Sequence, residues 1–186
     1  MEAIFSITAM IFIFYLLSRI KQNKAEKEME EIMQNPSIES YPQKGAKDLC
    51  LAILSHLNCK CELEEGNENR IIFDYQGERF VIDATNDCYI IEIWDTWWAK
   101  ISLEDIDDMA RFRKALNTVN INSGTTIVYS INEKENAFIL HSKRECLLVN
   151  SIPNIESYMM TMLDGFFRVK ESLRMEADKL LIPTTT

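Results

Sequence analysis

Residues 70–100 read RIIFDYQGERFVIDATNDCYIIEIWDTWWAK, which is three apolar runs separated by two polar turns. Gln76-Gly77 is a two-residue hairpin signal, because glycine tolerates a positive φ angle. The second turn is Thr85-Asn86-Asp87, and another strand-like run, 59–64, precedes the stretch across a turn at 65–67. The pattern therefore predicts an antiparallel meander of four strands. These strands are residues 59–64, 70–75, 78–84 and 88–100.

Helical spacing of apolar residues flanks this meander on both sides. Residues 46–57 carry leucine and isoleucine on one helical face, which predicts a helix packed on the core. A second helix is predicted to begin at Ser102, because serine is a good N-cap and the carboxylates that follow favour a helix N-terminus. The last predicted helix, 155–181, is long and amphipathic.

Two or three more strands complete the predicted domain. Residues 125–131 and 136–142 are strand-like, and 146–150 is a short third candidate. The predicted order is helix, four strands, helix, two or three strands, helix. Strands in meanders with helices between the groups indicate an α+β domain, in which helices pack on an antiparallel sheet.

The chain begins with an apolar segment, and residues 1–20 are predicted to be a transmembrane anchor. Residues 3–20 read AIFSITAMIFIFYLLSRI, without a charge before Arg19. Eighteen helical residues rise about 27 Å, near the short end of a membrane span. A cleaved signal peptide is the alternative, but Met1-Glu2 provides no basic leader and no A-x-A pattern follows. The predicted fold class is therefore a transmembrane helix followed by the α+β domain, with the lipid bilayer as a partner.

Basic residues crowd the C-terminal flank of this segment. Arg19, Lys21, Lys24 and Lys27 follow it, and only Glu2 precedes it. The positive-inside rule then predicts a single-pass protein of the inner membrane whose C-terminal domain is cytoplasmic. The remaining predicted boundaries are a charged juxtamembrane helix at 21–34, a linker at 35–44 and the α+β domain at 45–182.

Charge and cysteine content limit the function classes. Residues 37–186 contain 16 basic and 24 acidic side chains. Such a domain repels phosphate backbones, so a nucleic-acid partner is not expected. The five cysteines are an odd set at irregular spacing, which favours free thiols in a reducing compartment over a disulfide framework.

The meander motif FDYQGERFVIDA, residues 73–84, and Ala115-Leu116-Asn117 before a new strand pair carry a resemblance. Over residues 45–180 the chain resembles the type III secretion chaperone-like fold, which it shares with YbjN-type proteins, a bacterial group proposed to regulate sensory transduction. The resemblance implies a protein-binding module without catalytic residues, since secretion chaperones bind extended segments of partner proteins, often as dimers.

Cys59-Lys60-Cys61 is the strongest candidate for metal binding or thiol chemistry. On a strand the two thiols would share a face, and His56 is near in sequence. A zinc site needs two further ligands, and no phosphate loop, HExxH or GxSxG motif is present. We therefore predict no catalytic residue, no metal site and no cofactor. A thiol- or metal-dependent enzyme, and a small-ligand sensor with a pocket between the sheet and the last helix, remain alternatives.

Aromatic and methionine side chains are the candidate partner-binding residues. They are Trp94, Trp97, Trp98, Met159 and Met160. Strict alternation would place Trp94 and Trp98 on one face of their strand and Trp97 on the other. An exposed tryptophan would be a strong interface anchor, although core packing is the default for all five. The sequence thus predicts a membrane-anchored, non-enzymatic protein-binding module, chaperone-like or a regulatory adaptor, with a homodimer as an open option.

Overall fold

A computed structural model describes residues 45–181. They form three helices and six strands, and the strands make one antiparallel sheet in the order β1-β2-β3-β4-β6-β5. The helices are α1 (Ala46–His56), α2 (Ile106–Asn122) and α3 (Ile155–Lys179). The strands are β1 (Cys61–Glu64), β2 (Asn67–Tyr75), β3 (Glu78–Asp83), β4 (Ile90–Ser102), β5 (Thr126–Asn132) and β6 (Ala137–Leu147). A 3-10 turn, Glu133–Glu135, joins β5 to β6.

All three helices pack on one face of the sheet. The pairing register places large apolar side chains of neighbouring strands on that face, where the helices bury them. These side chains are Ile71, Phe73, Phe80, Ile82, Ile91, Ile93, Phe138 and Leu140. α1 and the first half of α3 cover β2 to β4, whereas α2 and the second half of α3 cover β5 and β6.

The second helix begins one turn later than the sequence suggested. Ser102 is the last residue of β4 and pairs with Ala137 of β6. Its hydroxyl accepts a hydrogen bond from the Glu104 backbone N–H at 3.2 Å, so it stabilises the turn between strand and helix. Asp105 is the N-cap of α2, and its carboxylate accepts from the Asp108 N–H at 3.0 Å.

The third strand candidate, 146–150, is not a separate strand. Residues 146 and 147 are the last two residues of β6, because this strand continues through the charged residues 143–145. Within this run Lys143 lies opposite Trp94 of β4 in the ladder, and its ammonium forms an ion pair with Glu92, which stabilises the pairing of the two strands. β6 is therefore a central strand of 11 residues that contacts both β4 and β5.

The predicted transmembrane helix is corrected by the structure. Across residues 45–181 no helix is long and apolar enough to cross a membrane. The predicted span at residues 3–20, with the juxtamembrane helix 21–34 and the linker 35–44, lies outside the described residues. The fold class of the described residues is α+β, with a six-stranded antiparallel sheet and three helices and without a membrane-spanning helix, so the predicted localisation as a single-pass inner-membrane protein is not supported.

Candidate functional site

The sheet face turned away from the helices is the open face. No helix of residues 45–181 packs on it, and both tryptophans that lie on it are at least partly accessible. Trp97 is 58% exposed. Side chains alternate between the two faces along each strand, and Trp97 contacts His141, which shows which residues lie on the open face. They include Ile72, Val81, Ile90, Trp94, Trp97, His141, Lys143 and Leu147.

A bulge in β4 shapes this face. Asp95 pairs with Ser142 and Ala99 with Leu140, so residues 96–98 of β4 lie opposite one residue of β6, His141. Trp97 adopts a φ of +63°, and its backbone N–H donates to His141 Nδ1 at 3.2 Å. Its ring meets the imidazole edge to face, with centroids 5.8 Å apart.

The bulge changes which tryptophans share a face. Simple alternation paired Trp94 with Trp98, whereas the structure places Trp94 and Trp97 together on the open face. Trp98 turns inward and packs against the apolar residues beneath α2 and α3. No glycine marks the irregularity, so residue identity alone did not signal it.

His141 holds the bulge in one arrangement. Its Nδ1 accepts from the Trp97 N–H, so the neutral tautomer carries its proton on Nε2, which lies 2.8 Å from Ser130 Oγ and donates to it. Burial lowers the pKa of His141, which favours this neutral form. A neutral ring thus links the backbone of β4 to the side chain of β5.

The positive φ of Trp97 is a strained conformation for a bulky residue. Trp97→Gly and Trp97→Ala both delete the indole, but only alanine must hold a side chain at that φ. We expect the glycine variant to be more stable by about 1 kcal/mol in urea unfolding. The same pair of substitutions at Lys100, an exposed β4 residue without a positive φ, should show the opposite order. Equal stabilities at position 97 would mean that the backbone there is unstrained.

Charged side chains surround the two tryptophans. Lys143 Nζ lies 5.3 Å from the Trp94 ring centroid and 2.8 Å from Glu92 Oε1. The same ammonium is 3.6 Å from Glu145, and the hydrogen bond to Glu92 raises the pKa of Lys143. Carboxylates therefore outnumber the ammonium that covers Trp94.

A buried polar cluster lies under the bulge, on the helix side of the sheet. Asp95 is 1% exposed, and its Oδ2 is 2.6 Å from Lys170 Nζ of α3. Burial raises the pKa of Asp95, and the Lys170 ammonium opposes that shift. Lys170 also lies 3.5 Å from Glu78 and over the face of Trp98. This pair joins α3 to the strand that carries Trp97.

The other predicted partner-binding residues lie elsewhere. Met159 is fully buried in the core, and Met160 is partly buried on α3, across the sheet from the open face. Trp98 is partly buried, and its Nε1 has no hydrogen-bond partner among the described residues. Of the five predicted residues, the structure brings only Trp94 and Trp97 together.

The thiols of the CxC motif are not arranged for catalysis. Cys61 Sγ donates to the Cys59 carbonyl at 3.6 Å, and burial raises the pKa of both thiols, which disfavours the nucleophilic thiolate. His56 Nδ1 is 2.9 Å from Glu156 Oε1. Within residues 45–181 no three His, Cys, Asp or Glu side chains are grouped closely enough to hold a metal ion.

Comparisons with known proteins concern the fold alone. No protein-family model matches the chain, and no curated protein does. An uncharacterized protein from Methanothermobacter thermautotrophicus is similar in structure, with 13% identity, a TM-score of 0.49 and coverage of 72% of this chain and 97% of that one. YbjN, a proposed transcription regulator from E. coli, has 10% identity, a TM-score of 0.47 and coverage of 68% and 87%. The resemblance to YbjN-type proteins is confirmed as a distant likeness in fold.

Proposed function

We propose that this domain is a non-enzymatic protein-binding module that docks a partner on the open face of its sheet. The observation that carries the proposal is the exposed indole of Trp97, held over that face by the bulge and by His141. Tryptophan is enriched among the residues that dominate binding energy, and its rigid ring loses little entropy when a partner covers it.

Apolar side chains extend this surface beyond Trp97. Ile90 and Leu147 are paired neighbours on the open face, and each is more than half exposed. Ile72 and Val81 lie next to Trp94 in the cross-strand row and are partly buried. The charged row of Asp83, Glu92 and Glu145 lies between these two apolar groups. Exposed apolar side chains bordered by charged ones are typical of a protein interface.

The charges around the patch select the partner's chemistry. Arg70 forms ion pairs with Asp83 and Glu64, and Lys143 contacts Glu92 and Glu145. These four carboxylates outnumber the two cations, and in residues 37–186 acidic side chains outnumber basic ones by 24 to 16. A second copy would bring like charges together, which costs energy. The partner that fits is a different protein segment, with an apolar side chain flanked by lysine or arginine.

Site-specific photo-crosslinking of the full chain in its native cells tests this proposal. Thr126→p-benzoyl-phenylalanine places the probe on β5, directly across the ladder from Lys143 on the open face. Met175→p-benzoyl-phenylalanine places it at an exposed position of α3, on the other side of the sheet. We expect one discrete protein adduct from position 126, its loss when Trp97→Ala is added, and no such adduct from position 175.

The crosslinked peptide decides the chemistry of the partner. Mass spectrometry should find an apolar residue flanked by lysine or arginine at the adduct. An adduct with a second copy of this chain, an acidic peptide, or equal yields with and without Trp97→Ala would each contradict the proposal.

A further inference from the structure

A cavity of about 400 Å³ lies at a separate place in the fold, where the end of α2, the start of β5 and the middle of α3 meet. Its walls include Ser123, Gly124, Arg144, Gly165 and Arg168. This volume is in the range of small-molecule sites. The pocket that a sensor would need between the sheet and α3 is filled instead by core side chains such as Met159, Leu163 and Phe166.

Arg144 provides the first positive charge in the cavity. It projects from β6 on the helix side, is partly buried, and its Nη1 lies 3.4 Å from Thr125 Oγ1. It forms no ion pair with a carboxylate of residues 45–181, although the guanidinium groups of Arg70, Arg79, Arg111 and Arg174 all do. A partly buried guanidinium without a counterion is costly to maintain, and an acidic domain offers many carboxylates that could pair with it.

Arg168 provides the second charge. It lies one turn of α3 beyond Gly165 and is exposed at the cavity, where its Nη2 donates to the Thr161 carbonyl at 3.3 Å. This guanidinium also has no carboxylate partner within the described part of the chain. The carboxylate in the cavity wall, Glu176, is paired with Lys179. Two guanidinium groups therefore remain available to one anion.

Two glycines leave room for the guanidinium of Arg144. A Cβ atom on Gly165 would lie 3.1 Å from Arg144 Nη1 and 3.0 Å from Thr125 Oγ1. A Cβ atom on Gly124 would lie 3.0 Å from Arg144 Nη2. Glycine inside a helix costs about 1 kcal/mol relative to alanine, so Gly165 in the middle of α3 needs a reason. Room for Arg144 provides it.

We infer that this cavity binds a small molecule through a phosphate group held by Arg144 and Arg168. Planar guanidinium groups match phosphate oxygens in paired hydrogen bonds. Hydroxyls of Thr118, Ser123 and Ser172 also line the cavity and can donate to a tetrahedral anion with several acceptor oxygens, more than a carboxylate has. The rest of the volume is large enough for the remainder of such a ligand.

NMR titration of the ¹⁵N-labelled full chain with inorganic phosphate, at constant ionic strength set by chloride, tests the site. Saturable shifts are expected at the backbone amides of Gly124, Thr125 and Gly165. Arg168→Gln, at an exposed position that should fold normally, weakens binding by at least about tenfold. Arg113→Gln removes an exposed guanidinium of α2 that lies over Tyr129, outside the cavity wall, and leaves binding unchanged.

Three outcomes would overturn the inference. The first is a shift that grows linearly with phosphate and never saturates. The second is equal affinity of the Arg168→Gln variant and the wild type. The third is acetate binding at the same amides as tightly as phosphate, which would make the site a carboxylate site. Trp97→Ala should leave phosphate binding unchanged, so this test is separate from that of the open face.

Discussion

Lys170→Met lowers the free energy of unfolding by about 3–5 kcal/mol at pH 7, because it leaves the buried Asp95 carboxylate without a cation. Methionine retains most of the apolar stem, so the loss reports on the charge. Chemical denaturation monitored by tryptophan fluorescence provides the measurement.

The size of this loss depends on pH, with a sign set by Asp95. Burial already raises the pKa of Asp95 in the wild type, and removal of the Lys170 ammonium raises it further. A carboxyl whose folded pKa lies above its unfolded value contributes stability below the unfolded pKa, and this is lost as pH rises through the folded pKa. The deficit of the Lys170→Met variant should therefore be smaller at pH 5 than at pH 8.

Two further variants make the test specific. Arg174→Met breaks an exposed ion pair with Glu171 on the same helix and should change stability by less than about 1 kcal/mol. Asp95→Asn added to Lys170→Met should remove the extra pH dependence, since no buried carboxyl remains. A deficit for Lys170→Met that matches the Arg174→Met control would show that the buried pair contributes little.

Phe166→Ala is expected to cost about 3–5 kcal/mol, because it leaves a cavity in the core between α3 and strands β2 to β4. Phe166 is fully buried on α3, and its ring meets Phe80 of β3 edge to face with centroids 5.3 Å apart. The substitution removes both the transfer free energy of the ring and its contact with the sheet. Met175→Ala, at an exposed position of the same helix, should stay within about 0.5 kcal/mol of the wild type. A loss below about 1 kcal/mol for Phe166→Ala would mean that α3 does not pack on the sheet as described.

Local sequence signals predicted the secondary structure well where they are strong. Gln76-Gly77 forms the turn between β2 and β3, with Gln76 at φ +51° and Gly77 at φ +85°, as the hairpin signal indicated. The long apolar periodicity of residues 155–181 corresponds to α3 within two residues at its end. These features depend on a few neighbouring residues, so the sequence carries them directly.

The site depends on contacts between distant residues, which the sequence does not display. Asp95 and Lys170 form an ion pair but are far apart in the chain, so nothing in the sequence around either residue predicts the pair. The bulge at Trp97 depends on the hydrogen bond from its backbone to His141, so alternation assigned the three tryptophans incorrectly. Gly165 was the available signal for the cavity, since a glycine within a strong helical pattern suggests a close approach.

Calorimetric titration of the crosslinked partner with purified wild type, Trp97→Ala and Met175→Ala measures whether the partner docks on the open face through Trp97. Trp97 and Met175 are exposed to a similar fraction, 58% and 55%, so Met175→Ala is a control for the truncation of an exposed apolar side chain on the other side of the sheet. We expect Trp97→Ala to weaken the affinity by at least about thirtyfold, because truncation of an anchor residue removes a large share of the binding energy. Met175→Ala should stay within about twofold of the wild type. Equal affinities for all three proteins would contradict docking on the open face.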